Sequence, residues 1–454
     1  MSGLRTLRPR AATAALALAA LLAAVPAARA ENPVGTPRAG RIAFVGGTVH
    51  PASGPSLPVG TVVVRDGVIE SVAPGASAPP DAAIVECRGK HVWPGLIAAV
   101  TAMGLTEIES VRGTQDWREL GDVNPNVRAE VQLSADSDHL SVTRLGGVTR
   151  ALSVPRGGAI AGTSALLALS GWTWEDMTTR APVALHVFWP NMTPQRSWWE
   201  QRSDEEQRRA RDEAIAAIGR AFDDARAYWK AHDAAAARLA PRHDRDAKWD
   251  AMRRALAGEI PVAFHADGLN QIRAALAFAA DQKLPRVILV GGHDAPLVAD
   301  ELKRRRIPVI VAGTLALPRR AHEPYDEAFT VPARLAAAGV EFAIADEGTA
   351  GALMNARNLG HHAAMAAAFG LPREEALRAV TLHPARILGV GDRLGSLEPG
   401  KIADLVVTDG DLLDVTTRVE QVWIGGVETP MVSRQTRLFE KYDARPRGPK
   451  ARPR

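Results

Sequence analysis

Six short apolar runs, spaced through the middle of the chain and interleaved with helix-favouring stretches, limit its folding more than any other feature. The runs are Val148 to Val154, Val183 to Phe188, Ile260 to Ala266, Arg286 to Gly292, Ile307 to Ala312 and Glu341 to Ala345. Helical patterns cover Leu269 to Gln282, Pro296 to Arg305 and Arg373 to Leu388. Apolar strands that do not alternate with polar residues are buried on both faces, and strands joined through helices run parallel. The pattern predicts an α/β protein, and its extent suits a (β/α)8 TIM-like barrel over residues 93–388. A doubly wound open sheet is the alternative. No Gly-rich phosphate loop lies between a strand and a helix, which counts against it.

Both ends of the chain read differently. Residues 41–92 hold short strands broken by turns, with Asp66-Gly67 as a hairpin signal between Val62-Val63-Val64 and Val68-Ile69. Far away, Leu405-Val406-Val407 and Val422-Trp423-Ile424 read the same way. Neither group is large enough to be stable alone, so a composite β-sandwich domain built from both chain ends, 31–92 with 389–432, is expected. Residues 196–250 are charged and helix-favouring, and are expected to insert between core strands as a solvated face or as a lid carrying Trp198, Trp199 and Trp229.

Residues 1–30 read as a signal peptide. Arg5, Arg8 and Arg10 precede an apolar run from Ala11 to Val25, and Ala28-Arg29-Ala30 offers a small-x-small cleavage site before Glu31. The run is too short to span a bilayer, so a periplasmic or secreted protein without an integral membrane segment is expected. Removing it lowers the 55 basic residues to 51, equal to the 51 acidic ones. Five further positive charges, Arg445, Arg447, Lys450, Arg452 and Arg454, sit at the end of a Pro-rich tail over 433–454, which leaves no case for a nucleic-acid partner. Cys87 is the one cysteine, so stability must come from core burial without an internal disulfide.

Several motifs together resemble the amidohydrolase superfamily, particularly its exported imidazolonepropionase-like members. They are Gly46-Gly47-Thr48-Val49-His50, Pro94-Gly95-Leu96-Ile97, Gly146-Gly147-Val148-Thr149, Phe264-His265-Ala266-Asp267, Gly292-His293-Asp294 and the run Gly395-Ser396-Leu397-Glu398-Pro399-Gly400-Lys401-Ile402-Ala403-Asp404-Leu405. The resemblance implies metal-dependent hydrolysis of amide, lactam or related C–N bonds of a small molecule at the C-terminal ends of the barrel strands. It matches His265 and His293 to metal ligands on the fifth and sixth strands, and Asp346 to the aspartate of the eighth. The first strand departs from the pattern. Val100 and Ala102 stand where the family carries a ligating His-x-His pair, and neither side chain has a lone pair to donate. The fourth strand carries His186 and no convincing lysine.

The expectation is therefore a single divalent metal, zinc by its ligands, held by His186, His265 and His293, with Asp346 as general base. Against each stands a plain structural role. His186 suits a buried core histidine, and Asp346 suits a helix cap. Asp267 and Asp294 suit turn residues or partners that orient the histidines. Glu107, Glu109 and Asp116 are replacement ligands or a solvated loop. His361 and His362, about 100° apart on a helix, cannot readily share one ion, and His383 is expected to pack. Two functions follow, an exported amidohydrolase-like hydrolase or a barrel that no longer catalyses and serves as a binding or partner subunit. A homo-oligomer or a complex with a related amidohydrolase subunit fits either.

Overall fold

The computed structural model describes residues 32–242, 244–349 and 351–445. The expected signal peptide lies outside them. So do residues 446–454 of the tail.

Two sheets carry the interior of the molecule. In one, parallel strands run in the order Phe342–Ala345, Val309–Ala312, Val287–Gly291, Val262–Ala266 and Leu185–Phe188, and Ile160–Thr163 pairs antiparallel to the last. In the other, Leu96–Thr101 lies parallel to Val148–Ser153, which pairs antiparallel with Ala165–Ala168. The sheets meet at Ser164, whose N–H donates to the Ala184 carbonyl at 3.0 Å while its own carbonyl accepts from Val183 at 2.8 Å.

Alternation along each strand sorts its side chains between two cores. Ile97, Leu152, Ala263, Ile288, Val290, Ile310, Ala343 and Ala345 share one cluster inside the sheets, while Leu96, Phe264, Leu289, Val309 and Phe342 join the larger cluster under the helices. Burial on both faces is the physical reason these strands read as apolar without alternation.

The chain ends form a single eight-stranded sheet. Leu405–Thr408 pairs antiparallel with His91–Pro94, which joins C-terminal strands to the Arg41–Val49 and Leu57–Arg65 hairpin. Phe44 and Trp423 meet edge to face in its core at 5.1 Å. The sheet is locked to the central strands by a buried ion pair. Arg150 on Val148–Ser153 reaches both oxygens of Asp404, with Nε to Oδ2 at 2.6 Å and Nη2 to Oδ1 at 2.9 Å. Asp404 Oδ1 also accepts from the Gly425 N–H at 2.8 Å. The aspartate of the Ala403-Asp404-Leu405 motif thus fastens one sheet to another.

The charged insertion forms a 33-residue helix, Asp204–Ala236, opened by a capping box between Ser203 and Glu206, and a shorter helix, Ala247–Leu256. Trp229 is occupied in holding them together: its Nε1 donates to the Trp249 carbonyl at 2.8 Å, and Arg253 lies 4.0 Å above its ring. Trp198 and Trp199 are exposed. Two expectations change. The helical run over 373–388 is split into Arg373–Arg378 and Leu382–Ile387, because Pro384 has no N–H to continue one helix through that point. Part of the tail is ordered, since Ser433 caps a helix over Arg434–Asp443.

Candidate active site

The C-terminal ends of the central strands open into a cleft of about 1350 Å³, lined by His265, Asp267, Asp294, Phe188, Arg156 and Glu347 among others. Strand register decides which histidines meet there. Phe188 pairs with His265, and His265 with Val290. His186 and His265 follow Ala184 and Ala263 of the inner cluster by two residues, so both point inward. Their rings touch, with His186 Nδ1 2.9 Å from His265 Nε2. Phe188 stacks on the His265 ring at 3.9 Å.

His293 does not join them. The inward positions on its strand are Ile288 and Val290, and His293 lies beyond the strand end at the opposite parity. Gly291 and Gly292, at φ +101° and +69°, turn the backbone away there. Both need to be glycine, since a Cβ would lie 2.6 Å from Asp267 Oδ1 at the first and 2.7 Å from Val309 Cγ1 at the second. His293 Nε2 instead meets Glu323 Oε1 at 3.2 Å. Arg320 pairs with both Glu323 and Asp294, Glu323 accepts backbone N–H groups from Arg319 and Arg320, and Asp294 accepts the Leu269 N–H at 2.8 Å.

This corrects the three-histidine metal site. Ligands about 2.0–2.1 Å from one zinc must lie within about 4.2 Å of each other. Among the described residues, the group of three donors mutually within 4.8 Å is His293, Asp294 and Glu323, not His186, His265 and His293. Arg320 pairs with both carboxylates of that group, which makes it an ion-pair network. The residues present do not fit a single zinc on the expected histidines.

Asp346 follows the strand Phe342–Ala345 and is 2% exposed. Its Oδ1 accepts the Gly348 N–H at 3.2 Å, and its Oδ2 has no partner among the described residues. Burial pushes its carboxyl up to about 7, although the Gly348 N–H and Arg156 oppose the shift. Burial also lowers His186 to about 3 and holds His265 well below the usual imidazole range, with Arg156 adding to both shifts and His186 to that of His265. Near neutral pH the pair is therefore uncharged, and one nitrogen donates to the other. His186 Nε2 is buried without a partner among the described residues. An acid able to exchange its proton near pH 7 and a desolvated imidazole thus share one neighbour, Arg156.

The other candidates are placed elsewhere. Val100 is fully buried and packed against Gly348. Ala102 is buried as well. Asp267 pairs with Arg319 at 3.0 Å. Glu107 sits near His139 and Ser137, where burial raises its carboxyl pKa. His362 Nδ1 meets the Thr314 hydroxyl at 3.0 Å, and His383 Nδ1 donates to the Phe342 carbonyl at 3.0 Å. Sequence reasoning missed Arg156 and Glu323. Arg156 had a local signal: it sits three residues past a strand end, between Pro155 and Gly157-Gly158, in the position from which a loop residue reaches a cleft. Glu323 had none, since its partner His293 lies 30 residues away.

Known proteins give the frame for this geometry. The Amidohydrolase family model matches residues 174–433. An amidohydrolase of Hapsidospora irregularis is 26% identical over 410 residues, covering 81% of this chain and 39% of that protein. An imidazolonepropionase of Brucella suis is 32% identical over 160 residues, 34% of this chain and 36% of that one. The chain thus spans well under two thirds of these relatives. The crystal structure of an amidohydrolase from Thermotoga maritima superposes with a TM-score of 0.75 at 25% identity, covering 85% of this chain and 99% of that one. The likeness implies a TIM-barrel-like fold of mixed α/β content. With a family match over more than half of its length, this chain belongs to the amidohydrolase superfamily, hydrolases whose members are usually metal-dependent.

Proposed function

We propose that the protein is an exported hydrolase of amide-type C–N bonds in small molecules, with Asp346 as its general acid and base. The observation that carries this reading is the buried Asp346 carboxyl, with one oxygen unpartnered among the described residues and a pKa of about 7, at the cleft end of the last central strand. A group half-ionised at working pH can both take and return a proton. Asp346 removes a proton from the attacking water as its oxygen bonds to the carbonyl carbon. When His265 Nε2–H donates to His186 Nδ1, His186 Nε2–H is left as a desolvated donor for the oxyanion. Collapse expels the amine, which takes the proton back from Asp346, giving one acid and one amine per water.

No step is routed through a metal. In the same reading the two inner sheets close as a (β/α)8 barrel, the end sheet is its composite companion domain, and residues 1–30 direct export. N-terminal sequencing of protein expressed from residue 1 should give a start near Glu31; retention of Met1 contradicts export. The packing of Val100 against Gly348 favours a second reading, a barrel that binds without turning over. Amine release from a panel of N-acyl amino acids, amides and lactams tests the choice. Turnover by the parent and not by Asp346→Asn supports the hydrolase, whereas no turnover by either supports the binding barrel.

A further inference from the structure

Arg156 is held in place by its loop, and its side chain has no hydrogen-bond or ion-pair partner among the described residues. Its backbone N–H donates to the Trp117 carbonyl at 2.6 Å. The next residues allow no room for movement: Gly158, at φ +77°, lies so close to the Asp122 backbone that a Cβ would come within 2.5 Å of it. The guanidinium is half-buried and makes no hydrogen bond or ion pair among the described residues, and its Nε is buried without a partner. Its one direct contact of note is with the Phe188 ring, 5.5 Å away. The two other guanidiniums at this cleft differ. Arg319 is paired with Asp267, and Arg320 with Asp294 and Glu323.

Arg156 also lies where two spaces join. It lines the main cleft and an adjoining pocket of about 270 Å³ with Glu109, Trp117, Phe188 and Thr349. A half-buried, unpaired cation is costly to keep, and a ligand anion would supply what the protein does not. The guanidinium fork matches the two oxygens of a carboxylate. A phosphate dianion suits the place less well, since Asp346 and Glu347 stand nearby and only one guanidinium faces it.

We propose that Arg156 anchors a substrate carboxylate, so that the cleft selects N-acyl amino acids or similar compounds with a free carboxylate beside the scissile amide. The carboxylate sits on the Arg156 fork, the apolar part lies against Phe188 and Trp117, and the amide faces His265 and Asp346. This rests on the reading of the cleft as the reaction site, but its test reads binding and not turnover.

Calorimetric titration of the Asp346→Asn variant, which blocks turnover, should compare N-acetyl amino acids of small, branched and aromatic type with their primary amides and with inorganic phosphate. The acids should bind, and the amides and phosphate should bind about 10- to 100-fold more weakly, the value of a charge-assisted pair. Adding Arg156→Met should bring the acids to the level of the amides, with Arg156→Lys in between. Circular dichroism checks that each variant is folded. Equal binding of acids and amides, no binding of any acid, phosphate binding as tightly as the acids, or acid binding unchanged by Arg156→Met would each overturn the proposal. Binding of the acids with no hydrolysis by the parent would sink the hydrolase reading and leave the anchor standing. Hydrolysis with no dependence of binding on Arg156 would do the reverse.

Discussion

The two histidines on the inner strand faces and the histidine beyond the strand end have opposite surroundings. His186 and His265 are fixed by register and lie at a place where His186 Nε2, Asp346 Oδ2 and Arg156 Nε have no hydrogen-bond partner among the described residues. His293 sits in a network where Glu323, Asp294 and Arg320 satisfy one another. A motif match had given His265 and His293 the same role. Satisfaction separates them: groups left unpaired at a stability cost are available to a ligand, and groups already paired hold the fold.

The sharpest way to break this contrast is Asp346→Asn. Loss of a positioned general base should lower kcat by about 10²- to 10⁴-fold with the fold retained, read by steady-state kinetics. The same variant reports on pH. With the native pKa near 7 and the unfolded value near 3.8, the folded state holds the extra proton between them, so Asp346 makes the parent lose stability as pH rises from about 4 to about 7. Denaturant midpoints measured across that range should fall in the parent and stay flatter in Asp346→Asn. A parallel slope in both would remove Asp346 from the account.

Arg150→Met tests the structural side. It strands Asp404 in a buried place between two sheets and should cost about 3–5 kcal/mol in chemical denaturation. His293→Ala should cost less, about 1–2 kcal/mol, and leave acid binding in the cleft unchanged, because Glu323 keeps Arg320. The smallest effect has the opposite sign. Arg156→Met removes an unpaired, half-buried charge and should leave the protein as stable or more stable by up to about 1 kcal/mol, while His293→Ala destabilises it. Destabilisation by Arg156→Met would make Arg156 a structural residue.

The six expected central strands were legible because burial on both faces removes the polar alternation, and their observed ends fall within two residues of the apolar runs, whereas the short strands Ile160–Thr163 and Ala165–Ala168 were not expected. Only the pairing of the two chain ends in one sheet follows from the point that neither could bury itself alone; a sandwich domain does not. The site was only partly legible. Inward residues follow from parity, so His186 and His265 could be placed once the register was known. The displacement of His293 could not, because it depends on two left-handed glycines and on Glu323, brought near by the loop after Val309–Ala312. Arg156 carried the loop signal of Pro155 and Gly157-Gly158, but its significance, a side chain without partners among the described residues, is one no sequence displays.

Zinc content after equilibration with the metal and desalting, compared between the parent, His265→Ala and His293→Ala, tests the central contrast most directly. Because His293 belongs to an ion-pair network and not to a shared metal site, His293→Ala should retain the same zinc content as the parent. One equivalent of zinc in the parent, lost in both variants, would contradict the account and restore the three-histidine centre.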